Sequence, residues 1–235
     1  MDRQGMIEAI KAARRIVFFG GAGVSTESGI PDFRSKDGLY NQHYRYPPEE
    51  ILSHDFLLNN PTEFWRFYRD KILVEGIEPN ITHRVLARWE QEGKLLAVIT
   101  QNIDDLHEKA GSTKLFKLHG SVTRNYCLKC GRQYGIKDLG KEGVPHCTCG
   151  GVIRPDVVMY GENLDFDVVE GAIDALSRAD LLIVAGTSLA VYPAAGLIDY
   201  YQGNKMVLIN RDPTPYDRYA TWVCHESLGK VFSEL

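Results

Sequence analysis

The sequence is poor in long apolar runs, in surplus charge of either sign and in cysteine. Ile16-Val17-Phe18-Phe19 is far short of the about 20 apolar residues that a bilayer-crossing helix needs, and no other run reaches that length. The start, Met1-Asp2-Arg3-Gln4-Gly5, lacks the basic segment and apolar core of a secretory signal, so a cytoplasmic, reducing setting away from membranes is expected. Twenty-seven basic residues against 31 acidic ones leave a net charge of -4, so no overall basic field points to nucleic acid. Internal repeats and low-complexity tracts are absent, and 44% hydrophobic residues exclude a disordered chain. Only five cysteines occur in 235 residues, and four of them fall between 127 and 149. An oxidised secreted protein of this size would more often spread them along the chain.

What is present is an alternation. Short apolar runs at 16–19, 95–100, 181–185 and 206–209 each end in small or polar residues. Between them, residues 6–15, 82–92 and 167–178 carry apolar side chains at helical spacing. The fold class implied is α/β, a Rossmann-type parallel sheet with helices on both faces. Ligands in such sheets bind beyond the carboxyl ends of the strands, which makes these four strand ends the expected cofactor rim. Two segments break the rhythm and read as insertions forming a smaller lobe. Residues 35–75 are rich in Tyr, Phe, Pro and His, with helical pieces at 49–58 and 61–73. Residues 122–155 carry the clustered cysteines. The nucleotide-binding lobe is then expected over 1–34, 76–121 and 156–235.

Cys127-Leu128-Lys129-Cys130 and Cys147-Thr148-Cys149 form two close pairs separated by 16 residues. Four thiolates in two pairs are what a tetrahedral zinc requires. Two disulfides, or plain buried cysteines, are the competing reading. A closed four-thiolate site has no open position for substrate, so the metal is expected to be structural. His146 is a weaker candidate ligand, and Cys224 stands apart as a free thiol.

Gly20-Gly21-Ala22-Gly23 after a strand suggests close backbone approach to a pyrophosphate, yet the dehydrogenase spacing G-x-G-x-x-G fails at Thr26. Tight strand–helix packing explains the glycines equally well. The continuation is more specific. Residues 21–34, GAGVSTESGIPDFR, closely resemble the cofactor loop of the sirtuins, the NAD-dependent protein deacylases. So do TQNIDDLH at 100–107, LHG at 118–120, RPDVVMYGE at 154–162 and GTSL at 186–189, in family order with the four-cysteine module in between.

The resemblance implies an enzyme that consumes NAD. The acyl oxygen of an acyl-lysine peptide displaces nicotinamide, the ribose 2′-hydroxyl attacks the resulting imidate, and water releases lysine and 2′-O-acetyl-ADP-ribose. His119 matches the general base, and an imidazole near pKa 6.5 suits that role. Asn102 would position ribose and water, Asp104 would hold the nicotinamide carboxamide, Gln101 would touch the ribose hydroxyls, and Ile103 would be a further cofactor contact. Gly21, Ala22, Gly23 and Thr26 would line the phosphate turn, Arg34 would pair with phosphate, and Phe33 would shield the reacting ribose. Thr187, Ser188 and Asn210 match pyrophosphate and adenosine contacts, and Lys230 and Val231 an adenine contact. Val157, Val158, Met159, Tyr160, Gly161 and Glu162 match the substrate segment, where strand addition tolerates many peptide sequences.

Three departures stand out. Tyr160 occupies a position where the family usually has Phe. The second cysteine pair is one residue short of the commonest form. Relatives that prefer acidic acyl groups resemble one another in a Tyr-x-x-Arg, and Tyr40-Asn41-Gln42-His43 lacks that arginine, so acetyl or longer neutral acyl groups are expected. ADP-ribosyl transfer to another nucleophile is the alternative reading. The partners expected are acyl-lysine proteins, and the chain is expected to act as a monomer.

Overall fold

The computed structural model describes residues 2–33, 38–42, 44–74 and 76–235. Helix α1 (Arg3–Ala12) leads to strand β1 (Ile16–Gly20). Short helices α2 (Pro48–Ile51), α3 (His54–Asn59) and α4 (Pro61–Phe67) follow, the last running into a π-helical turn at Tyr68–Ile72. Then come α5 (Ile81–Gln91), β2 (Leu95–Thr100), α6 (Leu106–Ala110), β3 (Leu115–Lys117), β4 (Gly120–Cys127), β5 (Gln133–Tyr134) and β6 (Ile153–Val157). The chain closes with α7 (Phe166–Arg178), β7 (Leu181–Ala185), β8 (Met206–Ile209), β9 (Trp222–Cys224) and α8 (Leu228–Phe232).

Among the described residues the strands form two sheets. The larger is fully parallel, in the order β3-β2-β1-β7-β8-β9. The smaller is antiparallel, in the order β5-β4-β6. Every residue of β1 and β7 is buried, as expected of strands covered on both faces. Phe18 turns to one face with Met6, Leu86 and Phe232, and Phe19 to the other with Leu176 and Ile198. The chain runs outward from β1 through β2 to β3, then returns to β7 on the opposite side of β1. Strand order therefore reverses at β1, which opens a crevice at the carboxyl ends of β1 and β7. No helix among the described residues is long and apolar enough to cross a membrane.

Local chemistry moves some expected boundaries. Helix α1 stops at Ala12, because Arg14 and Arg15 donate their backbone N–H groups to the Asp180 carboxylate at 3.2 and 3.0 Å. The helical stretch expected at 49–58 is broken at Leu52-Ser53. There the Leu52 carbonyl and His54 N–H pair with the backbone of Tyr160, and Ser53 Oγ caps α3 by accepting from Phe56 N–H. Strands β3 and β9 have three residues each and left no readable apolar run.

Candidate active site

The crevice at the strand ends continues between the two sheets as a cavity of about 530 Å³. Its nucleotide side begins at Gly21-Ala22-Gly23. A Cβ on Gly21 would lie 2.8 Å from Thr187 Cβ, and one on Gly23 2.8 Å from Gly186 Cα. Gly23 N–H donates to Gly186 O at 2.8 Å, and Gly186 itself has φ +59. These glycines are therefore required by contact between the β1 and β7 turns, a reason the motif alone did not reveal. Thr26 Oγ1 donates back to Gly23 O at 2.9 Å.

Behind this turn lies a buried relay. Asn102 Nδ2 donates to Ser25 Oγ at 3.0 Å, and Ser25 Oγ donates to Asp104 Oδ2 at 2.7 Å. The other oxygen of Asp104 accepts Leu106 N–H at 3.1 Å and so caps α6. Burial pushes the Asp104 carboxyl up from its ordinary value, against these bonds. Asp104 stands behind Ser25 rather than in the cavity wall, whereas Asn102, Gln101 and Ile103 reach the wall. Its neighbour Asp105 acts elsewhere. With Glu108 it holds the buried Lys117 ammonium, both at 2.7 Å. Ser25 is 1% exposed and joins the two sequence-predicted residues. A lone loop serine carries no periodic signal, so its place was visible only in three dimensions.

His119 closes this wall. Its Nδ1–H donates to Gln101 O at 2.9 Å, which leaves the Nε2 lone pair as the acceptor. Burial pulls the imidazole below its ordinary 6.5, although the bond to Gln101 opposes this. The ring is neutral at cellular pH and competent as a base. Gly120 follows with φ +78, and a Cβ there would sit 2.1 Å from Asp156 O. Glycine thus lets β4 turn onto β6 immediately after the base. Gln101 Nε2 also donates to Thr187 Oγ1 at 3.0 Å, tying the β2 and β7 ends together.

The opposite wall is the segment 157–162. Its N–H groups are largely committed: Val158 N–H to His119 O, Met159 N–H to Glu162 Oε2 and Tyr160 N–H to Leu52 O, at 2.9–3.0 Å. The Val158 carbonyl has no hydrogen-bond partner among the described residues. Glu162 lies at the cavity edge, but its carboxylate is engaged by a bidentate Arg154 and by His54 Nδ1–H. Despite the cost of desolvation, Arg154 and the Met159 N–H bring its pKa down to about 2. Glu162 therefore braces this wall. Tyr160 is 37% exposed and its hydroxyl lies 2.6 Å from that of Tyr40.

Other expected residues divide. Ala22, Thr26, Phe33, Ser188, Asn210, Val157, Val158, Met159 and Gly161 line the cavity with those above. Lys230 and Val231 do not: Val231 is buried in the core, and the Lys230 ammonium pairs with Glu226. Ser227 and Leu228, three residues earlier, reach the cavity instead. The α8 helix turns its buried side under the sheet, which is why the last residues miss the cleft. Arg34 and His43 lie outside the described residues. Val191, Tyr192 and Pro193 also line the cavity and were not foreseen.

Outside the cleft, the Sγ atoms of Cys127, Cys130, Cys147 and Cys149 all lie within 4.8 Å of one another. Cys127–Cys149 and Cys130–Cys147 are 3.6 Å apart, far beyond a disulfide bond, and all four thiols are free. Zn–S bonds of about 2.3 Å in a tetrahedron put sulfurs about 3.8 Å apart, so the donor set fits zinc. Backbone N–H groups of Lys129 and Cys149 donate to Cys127 and Cys147 sulfur, and the latter bond leads the effects that hold the Cys147 thiol down at about 5. Gly151 makes room: a Cβ there would lie 2.6 Å from Cys127 Sγ.

Comparisons with known proteins agree with this arrangement. The sequence profile described as Sir2 family matches residues 21–193. The chain is 54% identical over 233 residues to the NAD-dependent protein deacetylase of Clostridium perfringens, covering 97% of this chain and 96% of that one. A solved Sir2 with a deacetylated p53 peptide and 3′-O-acetyl-ADP-ribose superposes with a TM-score of 0.90 at 39% identity, covering 99% of this chain and 96% of that one. A Sir2 with p53 peptide and NAD+ gives 0.88 at 40%, covering 100% and 97%. With the match spanning the glycine turn, the buried Asn102–Ser25–Asp104 relay, His119 and the cysteine module, this chain belongs to the Sir2 family.

Proposed function

We propose that the protein is an NAD-dependent protein-lysine deacetylase, acting in the cytoplasm as a single chain. The observation that carries this is His119: a half-buried, neutral imidazole, its tautomer set by Gln101 O, in a cavity that also holds the nucleotide turn and the 157–162 wall. One chain supplies every one of these groups. Four free thiols gathered for a metal agree with a reducing compartment. The names of the relatives support the same activity.

When bound, NAD supplies the activated anomeric carbon that captures the acyl oxygen. Asn102 and Gln101 orient groups on the ribose side, and His119 takes the 2′-hydroxyl proton at Nε2 and holds it. Phe33, on the wall beside them, excludes water from the reacting face. The Val158 carbonyl is the acceptor for an amide N–H of the substrate, while the committed N–H groups of 158–160 hold the wall still. Neutral acyl groups are preferred over acidic ones, because the arginine that would pair with a carboxylate is absent from Tyr40–His43.

The test is mass spectrometry of NAD with an acetyl-lysine peptide. Nicotinamide, free lysine and O-acetyl-ADP-ribose are expected, with His119→Ala slowing turnover about 10²–10⁴-fold. Wild-type kcat/KM should stay level down to the ordinary histidine pKa and fall only below it, since burial lowers that of His119. ADP-ribose appearing on protein, or an undiminished His119→Ala enzyme, would overturn the reading.

A further inference from the structure

Asn80 caps the start of α5 and stands outside the cavity wall, yet its side chain reaches the loop on the nucleotide side. Its Nδ2 carries two hydrogens. One goes to Val24 O at 2.8 Å and the other to Ser28 Oγ at 3.0 Å. The opposite atom, Oδ1, accepts Thr82 N–H at 3.0 Å and so caps the helix. The backbone N–H of Asn80 donates in turn to His83 Nδ1 at 3.3 Å. The His83 ring is fully buried and meets His107 edge-on at 4.7 Å. Burial holds that imidazole at about 4, so it stays neutral and keeps the Nδ1 lone pair. One side chain thus ties a helix rooted in the core to two points of the loop. Between those points lie Ser25, which bonds Asn102 and Asp104, and Thr26 and Glu27, which line the cavity.

We propose that Asn80 is a positioning residue for NAD, whose side-chain amide holds the loop 22–28 where the cofactor binds. This rests on the NAD-dependent reading above. The loop consists of two short 3-10 turns, Ala22–Val24 and Thr26–Ser28, a geometry with weak internal hydrogen bonds. It ends at Gly29, with φ +94 and nothing within 4 Å of where a Cβ would sit. Such a segment does not hold its own shape, and the two bonds from Asn80 supply the missing order. Without them the loop divides between competent and other placements, and NAD affinity falls by the competent fraction. The 157–162 wall is held by other bonds, to His119, Leu52 and Glu162, so peptide binding does not depend on Asn80.

Three variants separate the grip on the loop from the helix cap. Asn80→Asp caps as well as asparagine but has no N–H to give. Asn80→Ser also caps and is too short to span both acceptors. Asn80→Ala loses cap and grip together. The measurements are the NAD dissociation constant by titration calorimetry, KM for an acetyl-lysine peptide, and the urea midpoint. The NAD dissociation constant should rise about five- to thirtyfold in all three, the worth of one to two net hydrogen bonds, while peptide KM stays level. The urea midpoint should fall furthest in Asn80→Ala, which alone loses the cap. Unchanged NAD affinity in Asn80→Asp and Asn80→Ser overturns the proposal. So does an affinity that merely follows the urea midpoint across the three, the mark of a purely structural cap. A wild type that binds no NAD would instead sink the NAD-dependent reading, and the role of Asn80 with it.

Discussion

The two lobes solve the same problem of burial in different ways. In the large lobe, β1 and β7 are wholly inside and both faces of the sheet carry their own apolar layer. In the small lobe the helical insertion supplies the apolar mass, with Phe64, Trp65 and Tyr68 fully buried. The cysteine segment 122–155 adds Cys127, Leu139, Cys147 and Ile153 to that core, and half of those are metal-ligand candidates. A stretch this thin in apolar side chains cannot order itself by burial alone. Four thiolates around one ion replace the missing core, so the small lobe is vulnerable where the large lobe is not.

The largest effect should follow from metal removal. Structural zinc contributes apparent folding energies of about 10–16 kcal/mol in small isolated modules. Chelation, or Cys130→Ser, should therefore release about one zinc per chain and abolish amide protection across 122–155, while β1 and β7 stay protected. Hydrogen exchange with metal analysis checks this. A module that keeps its protection without metal would erase the contrast between the lobes.

The next effect lies at the seam where β4 meets β6. Gly120→Ala forces a Cβ to within 2.1 Å of Asp156 O at φ +78. Left-handed strain plus overpacking should cost about 2–5 kcal/mol. Gly93 in the large lobe has a similar φ of +74 but nothing within 4 Å, so Gly93→Ala should cost about 1–2 kcal/mol from strain alone. Urea midpoints measure both. Equal losses would mean that the seam is pliable and that β4 does not fix the position of His119.

This contrast also explains what the sequence disclosed. The buried strands and the helices at 82–92 and 167–178 were legible because a two-sided parallel sheet needs unbroken apolar runs and its cover needs helical spacing. The cysteines were legible because metal chemistry demands particular spacings. Ser25 and the Arg154–Glu162 brace were not, because their partners lie 79 and 8 residues away and no periodicity marks them. The packing role of Gly21 and Gly23 beside the cavity was hidden for a related reason. A glycine-rich turn looks the same whether a phosphate or another loop approaches it, and here Gly186 does. Lys230 and Val231 lie off the cavity wall because the orientation of a short terminal helix depends on the sheet beneath it.

The smallest effect concerns the brace that joins the cysteine segment to the substrate wall. Arg154 has a side chain 5% exposed, stacks over Tyr126, and grips Glu162 with two nitrogens. The Glu162 carboxyl sits at about 2 in the folded protein against an ordinary 4.5. A depressed carboxyl stabilises the fold fully above its unfolded pKa, and that contribution fades as pH falls toward the folded value. The pair is therefore worth on the order of 3 kcal/mol at neutral pH, of which about 1 kcal/mol should be gone by pH 4. Glu162→Gln removes the titrating group, so the stability gap between wild type and variant should narrow by about that amount between pH 6 and pH 4. Asp105→Asn in the large lobe offers the control. Despite desolvation, Lys117 lowers its carboxyl as well, but the ordinary Asp value is 3.8 rather than 4.5, so less of its contribution is lost by pH 4 and its gap should change less over the same range. If the two gaps narrow equally, the brace gives the substrate wall no acid sensitivity that the large lobe lacks.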